Sequence, residues 1–152
     1  MARPEPELRI VEVTDDSFRG DESVAYLFQE MRTAERVWIA VANDEMVGGL
    51  RLTLRSGATG VEQIGPNVVV HTVSVHQPHQ RRGYGRALME FGERWLQQQA
   101  SLPHTLSLAV EVDNVVAIAL YESLGYSFVI AQDERLRTGD LSCFVMAKTL
   151  SG

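Results

Sequence analysis

Val73-Ser-Val-His-Gln-Pro-His-Gln-Arg-Arg-Gly-Tyr-Gly-Arg-Ala-Leu88 is the stretch on which the reading of this chain turns. It leaves an apolar, β-branched run, Val68 to Val75, interrupted only by His71, Thr72 and Ser74, which predicts a central strand ended by Pro78. Beyond it Tyr84, Leu88, Phe91 and Trp95 recur at four, three and four residues, the stripe of an amphipathic helix reaching about Gln99. Between strand and helix lies Gln80-x-x-Gly83-x-Gly85. Glycine lets a backbone approach a ligand with no Cβ in the way. A helix N-terminus presents unsatisfied N–H groups, and its dipole favours anions. Arg81, Arg82 and Arg86 cluster where that dipole disfavours cations, so they point to an anionic guest, of which a pyrophosphate is the natural one. A Walker loop would need a lysine after Gly85, and a dinucleotide fingerprint a third glycine where Leu88 stands. A coenzyme A pyrophosphate loop remains, beside a plain strand-to-helix turn with solvated arginines.

Outward from this stretch the period of the apolar residues alternates between strand and helix. Leu8 to Val13 predicts a first strand, and the looser spacing of Phe18, Val24, Leu27, Phe28 and Met31 one or two short helices over 15–34. Val37 to Ala42 and Met46 to Leu54, joined by a turn at Asn43-Asp44-Glu45, predict an antiparallel hairpin, and the glycine-bearing segment Ser56 to Pro66 a loop. After Pro103, Leu106, Leu108, Val110 and Val112 alternate as a strand. Asn114 to Leu124 predicts a second helix ended by Gly125. Tyr126 to Ile130 and Leu141 to Thr149 predict two closing strands around the charged segment Asp133 to Asp140. The order is that of a mixed α/β fold, with a sheet partly antiparallel and partly parallel.

At 152 residues the chain fits one domain, expected over 1–152, with 45% hydrophobic and 22% charged residues. Twenty acidic against 14 basic residues give a net charge of −6, which argues against nucleic-acid or anionic-membrane partners despite the local arginines. One cysteine, Cys143, permits no internal disulfide. The absence of a signal-peptide core after Met1 and of a long apolar run leads us to expect a cytoplasmic protein with no membrane partner. His71, His76, His79 and His104 lack a cysteine partner or a His-Glu-x-x-His run, so no metal is expected.

Gln80-x-x-Gly83-x-Gly85 followed by Arg86-Ala-Leu resembles the acetyl-CoA signature of the GNAT superfamily of N-acetyltransferases. A second block, Asn114-x-x-Ala117-x-x-Leu120-Tyr121-x-x-x-Gly125-Tyr126, is similar to that superfamily's following strand–helix motif. The resemblance spans roughly residues 37 to 149. It implies a mostly antiparallel sheet of six to seven strands with splayed central parallel strands, flanked by about four helices. It further implies acetyl transfer from acetyl-CoA, used as co-substrate, to a primary amine of a small molecule or peptide, by direct attack in a ternary complex of a monomer or homodimer. Carried over by motif position, the backbone of Val73, Ser74 and Val75 would pair with the pantetheine arm. Gln80, Arg81, Arg82, Gly83, Tyr84, Gly85 and Arg86 would wrap the pyrophosphate, and Asn114 would contact the arm, cap the helix, or do both.

Tyr121 takes the general acid's position, and a phenol of pKa near 10 is matched to protonating a departing thiolate of similar basicity. Two residues are candidates for the base that removes the ammonium proton. His71 lies in the run His71-Thr-Val-Ser-Val-His76, which resembles the arylalkylamine N-acetyltransferases, although Val69 replaces the histidine that pairs with it there. Glu111, in Glu111-Val-Asp-Asn114, resembles the base of the enzymes acetylating ribosomal-protein N-termini, two residues closer to the asparagine than theirs. The alternative to an enzyme is a non-catalytic acyl-CoA sensor of the same fold, which would not need Tyr121. Acidic residues Glu62, Asp133, Glu134 and Asp140 in the predicted substrate walls would suit a cationic amine.

Overall fold

A computed structural model describes residues 8–14, 27, 35–54 and 64–151. The helices expected over 15–34 and the loop over 56–63, Glu62 included, lie outside them, Leu27 apart. The chain runs β1 (Arg9–Glu12), β2 (Glu35–Ala42), β3 (Glu45–Thr53) and β4 (Val68–Val75), then a 3₁₀ turn (Gln77–His79) and α1 (Tyr84–Gln97). It continues through β5 (Thr105–Glu111), α2 (Val115–Ser123), β6 (Ser127–Phe128), β7 (Ile130–Ala131), β8 (Glu134–Arg135) and β9 (Cys143–Thr149). Seven strands form one sheet in the order β1-β2-β3-β4-β5-β9-β6, while β7 and β8 form a separate ribbon. Every pairing is antiparallel except β4 with β5.

Two α-helices stand among the described residues, against about four expected. The strand expected over Tyr126 to Ile130 is divided between β6 and β7, and the charged segment Asp133 to Asp140 contains β8. The division follows from hydrogen bonding. Val129 N–H still reaches Val145 O at 2.9 Å, but Ile130 and Ala131 pair with Arg135 and Glu134, taking the chain out of the main sheet.

Alternate residues of β2 serve opposite faces of the sheet, as the two-residue period of a strand requires. Trp38 and Ala40 join the core beneath α1, whereas Val37 and Ile39 pack with Leu27 on the other side. Trp38 is capped edge-on by Phe91 at 5.7 Å and Trp95 at 5.0 Å, both from the α1 stripe. A Cβ on Gly48 would lie 2.1 Å from Ser74 O, so only glycine lets β3 approach β4 there. Arg51, buried on the far face, pairs with Glu35 at 2.5 Å and donates to Leu27 O at 3.5 Å.

A buried polar bridge ties both helices to the sheet. Glu93 of α1, 9% exposed, accepts from the Tyr126 hydroxyl at 3.0 Å and from Lys148 Nζ at 2.6 Å. Lys148 also donates to Leu124 O at 2.7 Å, satisfying a carbonyl at the end of α2. Lys148→Met strands the Glu93 carboxylate and should lower stability by about 2–3 kcal/mol in urea unfolding. Adding Glu93→Leu should recover most of that loss, because a charge left without its partner costs more than an apolar pair.

Candidate active site

The parallel pair β4–β5 is closed at one end and open at the other. Val68, Val69 and Val70 pair with Leu106, Ser107 and Leu108, and no pair follows. The closed end is pinned by buried side chains: Ser107 Oγ donates to Asn67 Oδ1 at 2.6 Å, and Asn67 Nδ2 to Gly65 O at 2.8 Å. On the β3 side, Leu52 pairs with Val70 and Arg51 with Thr72, so His71 is an extra residue, a β-bulge. A bulge bends its strand and raises the local twist, and pairing with β5 stops one residue before it. From there β4 runs to Val75 and β5 to Glu111 without pairing to each other.

A cleft of about 610 Å³ occupies this gap. Its walls include Val73, Ser74 and Val75 of β4, then Gln80, Arg81, Gly83, Tyr84, Gly85 and Arg86 of the loop and α1, then Asn114 and Tyr121. The structure thus gathers these sequence-predicted residues in one place. Arg82 is exposed and lies outside the lining. So do the exposed side chains of His71 and Glu111. His71 Nδ1 lies 2.8 Å from Thr72 Oγ1, and Glu111 O accepts from Asn114 N–H at 3.0 Å. Ala117, Leu120 and Val116 complete the wall. The sequence reading passed over Val116, whose signal is a pair of exposed valines opening an apolar helix.

Local geometry explains the loop. Gly83 is the N-cap of α1 at φ 82°, the left-handed conformation that disfavours other residues. A Cβ there would meet nothing within 4 Å, so backbone conformation, not space, selects glycine. Arg81 also has positive φ, 67°. Among the described residues no side chain caps α1, and no acid stands in its first turn, so its leading N–H groups lie at the cleft lining of Gly83 to Gly85. The Gln80 side chain donates to Val75 O at 2.9 Å, tying the loop to the end of β4. Arg86 reaches across to the Ser123 hydroxyl at 2.5 Å, joining α1 to the end of α2. Tyr84 buries a hydroxyl that has no hydrogen-bond partner among the described residues.

Asn114 is the N-cap of α2, its Oδ1 accepting from Ala117 N–H at 3.1 Å. Gly125, at φ 99°, ends the same helix. Between them Tyr121 is turned toward the cleft and meets Tyr126 edge-on at 6.0 Å. Burial raises the pKa of Tyr121, so its phenol stays protonated through neutral pH and can donate a proton. Tyr126 is pushed up further, first by burial, then by the Glu93 charge and hydrogen bond. Among the described residues, no group of three His, Cys, Asp or Glu side chains is arranged to hold a metal ion. No helix there is long and apolar enough to cross a membrane.

A family model described as the acetyltransferase (GNAT) family matches residues 7–126. Among solved structures, the ribosomal-protein-S18-alanine N-acetyltransferase of Escherichia coli superposes with a TM-score of 0.67 at 20% identity, covering 96% of this chain and 97% of that one. Arabidopsis thaliana Naa50, in complex with the bisubstrate analogue CoA-Ac-MVNAL, gives 0.67 at 19% identity, covering 94% and 99%. Arabidopsis thaliana NAA60, with a bisubstrate analogue, gives 0.70 at 14% identity, covering 96% and 99%. At these identities the likeness is one of fold. No curated protein sequence gives a match.

The two raised phenol pKa values fix a sign for stability at alkaline pH. A phenol that holds its proton more tightly in the fold than in the unfolded chain stabilises fully below the unfolded value, near 10, and loses that contribution as pH rises above it. Chemical denaturation between about pH 8 and 11.5 should therefore show stability falling above pH 10. Tyr126→Phe should be less stable at pH 8, having lost its bond to Glu93, yet fall less steeply above pH 10.

Proposed function

The chain belongs to the acetyltransferase (GNAT) family, and from that premise we propose that it moves an acetyl group from acetyl-CoA directly to a primary amine in a ternary complex. The observation that carries this reading is the meeting, in one cleft, of the divergent β4 edge, the uncapped start of α1 and the protonated phenol of Tyr121. These residues fit coenzyme A. Val73 to Val75 stay paired with β3 along one edge and have no β5 partner along the other, where an extended amide-bearing arm would add as a strand. The N–H groups around Gly83, with Arg81 and Arg86, suit a pyrophosphate, and Arg82 adds positive charge outside the cleft. Val116, 78% exposed, would be covered by such a guest.

In this reading Tyr121 protonates the departing thiolate. His71 or Glu111 accepts the ammonium proton through water, since neither side chain lines the cleft. The bulge favours His71, because the extra residue re-aims its side chain where β4 leaves β5. The acceptor is an amine of a small molecule or a peptide. Solved neighbours whose names refer to a ribosomal-protein alanine and to a peptide-bearing bisubstrate analogue support the peptide choice.

The test is an acetyl-CoA turnover screen over arylalkylamines, polyamines, aminoglycosides, amino acids and N-terminal peptides, read as released thiol. No turnover on any amine with intact coenzyme A binding would leave only the sensor reading. Calorimetric titration of Gly83→Val should show coenzyme A affinity reduced at least about 10-fold, because a β-branched residue resists φ 82°.

On the best amine, Tyr121→Phe should lower kcat by roughly 10- to 10⁴-fold with little change in acetyl-CoA affinity. The same assay separates the bases. If His71 serves, kcat/KM rises through an ionisation at about pH 6–7.5 that His71→Ala removes and Glu111→Ala retains. The reverse pattern assigns the role to Glu111. A limb kept by both variants shows that the enzyme takes the free amine from solution.

A further inference from the structure

The segment between β6 and β9 holds a second cavity, of about 690 Å³. Leu136, Leu141 and Phe144 supply its apolar lining, and Arg135, Arg137 and Glu134 its charged groups. Arg135 and Arg137 are two residues apart on extended chain and therefore project to the same side. The Arg135 guanidinium lies 4.1 Å from the centre of the Phe128 ring and 5.4 Å from that of Phe144. The Arg137 guanidinium lies 5.3 Å from Phe144. The two rings brace each other edge-on at 5.2 Å. A guanidinium resting on an aromatic ring keeps its planar fork of N–H donors at the edge, the geometry that binds a carboxylate through two bonds.

Neither arginine forms an ion pair among the described residues. The nearby acids form no ion pair with them. Asp140 Oδ1 is occupied by the Thr138 hydroxyl and by the N–H and hydroxyl of Ser142, bonds that also lower its pKa. Glu134 shares the cavity without pairing to either guanidinium. The sign is opposite to the one suggested by the acidic residues of this segment in the sequence. It also opposes the net charge of −6. Phe144, which lines this cavity, pairs with Val110, two residues beyond the last β4–β5 pair, although the cavity and the cleft share no lining residue. Val112 N–H reaches Ser142 O at 3.0 Å in the same corner.

We propose that this cavity is an acceptor subsite that binds a carboxylate on Arg135 and Arg137 and an adjoining apolar group on Phe144, Leu136 and Leu141. The amine acetylated then belongs to an acidic molecule. The proposal rests on the acetyltransferase reading for the identity of the ligand as substrate, and on the cavity alone for its chemistry.

The experiment has two arms, both with coenzyme A or acetyl-CoA saturating. In the first, 3-phenylpropionate and its neutral isostere 3-phenylpropionamide are titrated while backbone amide NMR signals are followed. The acid should shift signals over residues 134–144 and bind at least about 10-fold more tightly than the amide, as expected for charge-assisted hydrogen bonds. Arg135→Gln and Arg137→Gln should each erase that preference. Arg135→Lys, which keeps a cation but loses the fork, should retain part of it and serves if the glutamine variant does not fold. Equal binding of acid and amide, or shifts confined to other residues, would overturn the proposal. In the second arm, kcat/KM is compared for the peptides Ala-Glu-Phe amide and Ala-Gln-Phe amide. A preference of about 10-fold for the glutamyl peptide, lost in Arg137→Gln, supports the subsite, and equal rates overturn its role in substrate choice. If no amine is acetylated at all, the acetyltransferase reading fails while the first arm still decides the cavity.

Discussion

The geometry of the site rests on one parallel strand pair that is held together at its start and parted after three residues. At the closed end, backbone pairing between β4 and β5 is reinforced by the buried Asn67–Ser107 hydrogen bond. At the open end, the extra residue His71 breaks register with β3, and β4 leaves β5. A strand edge in a protein interior needs hydrogen-bond partners. Parting two strands therefore creates a row of backbone groups that suits an extended, amide-containing guest. The cleft, its depth and the direction in which a ligand would lie all follow from where the pairing stops.

The remaining elements are arranged around that gap by ordinary packing. The apolar stripe of α1 seats on the sheet through Trp38, Leu50 and the glycine at 92, which leaves the helix start directed at the cleft. The Glu93–Tyr126–Lys148 bridge ties α1 to β9 and to the end of α2. Tyr121 lies on α2, one helical turn before Gly125, so the same bridge sets the phenol's place. A structural ion pair thus helps hold a cleft-lining phenol although neither of its members lines the cleft.

Much of this was legible beforehand. The strand over Val68 to Val75, the helix from Tyr84 and the helix ended by Gly125 were all readable from periodicity and glycine placement, because those segments bury one regular face. The glycine loop was legible too, although for a partly different reason: Gly83 is required by its φ of 82°, not by a crowded neighbour. The strand expected over Tyr126 to Ile130 was met in part by β6, but the ribbon of β7 and β8 was not foreseen. Its short strands bury little, so their pattern carries no strong period, and the turn at Gln132-Asp133 is fixed by two positive φ angles at non-glycine residues.

By itself the sequence determined the alternation of strands and helices, the location of the glycine loop before α1 and the candidate acid, since each is encoded by residues close together in the chain. Only the tertiary structure decided which residues share a wall. Val73 and Tyr121 line one cleft although 48 positions separate them. His71 and Glu111, both on its flanking strands, do not line it. Tertiary structure also decided the contacts of the charged segment: Asp140 accepts bonds from its own turn, Glu134 lines a cavity, and Arg135 and Arg137 stack on Phe128 and Phe144. Pairing partners and ring contacts of this kind arise between segments distant in the chain, whose register is fixed only when their apolar faces are buried against the same core.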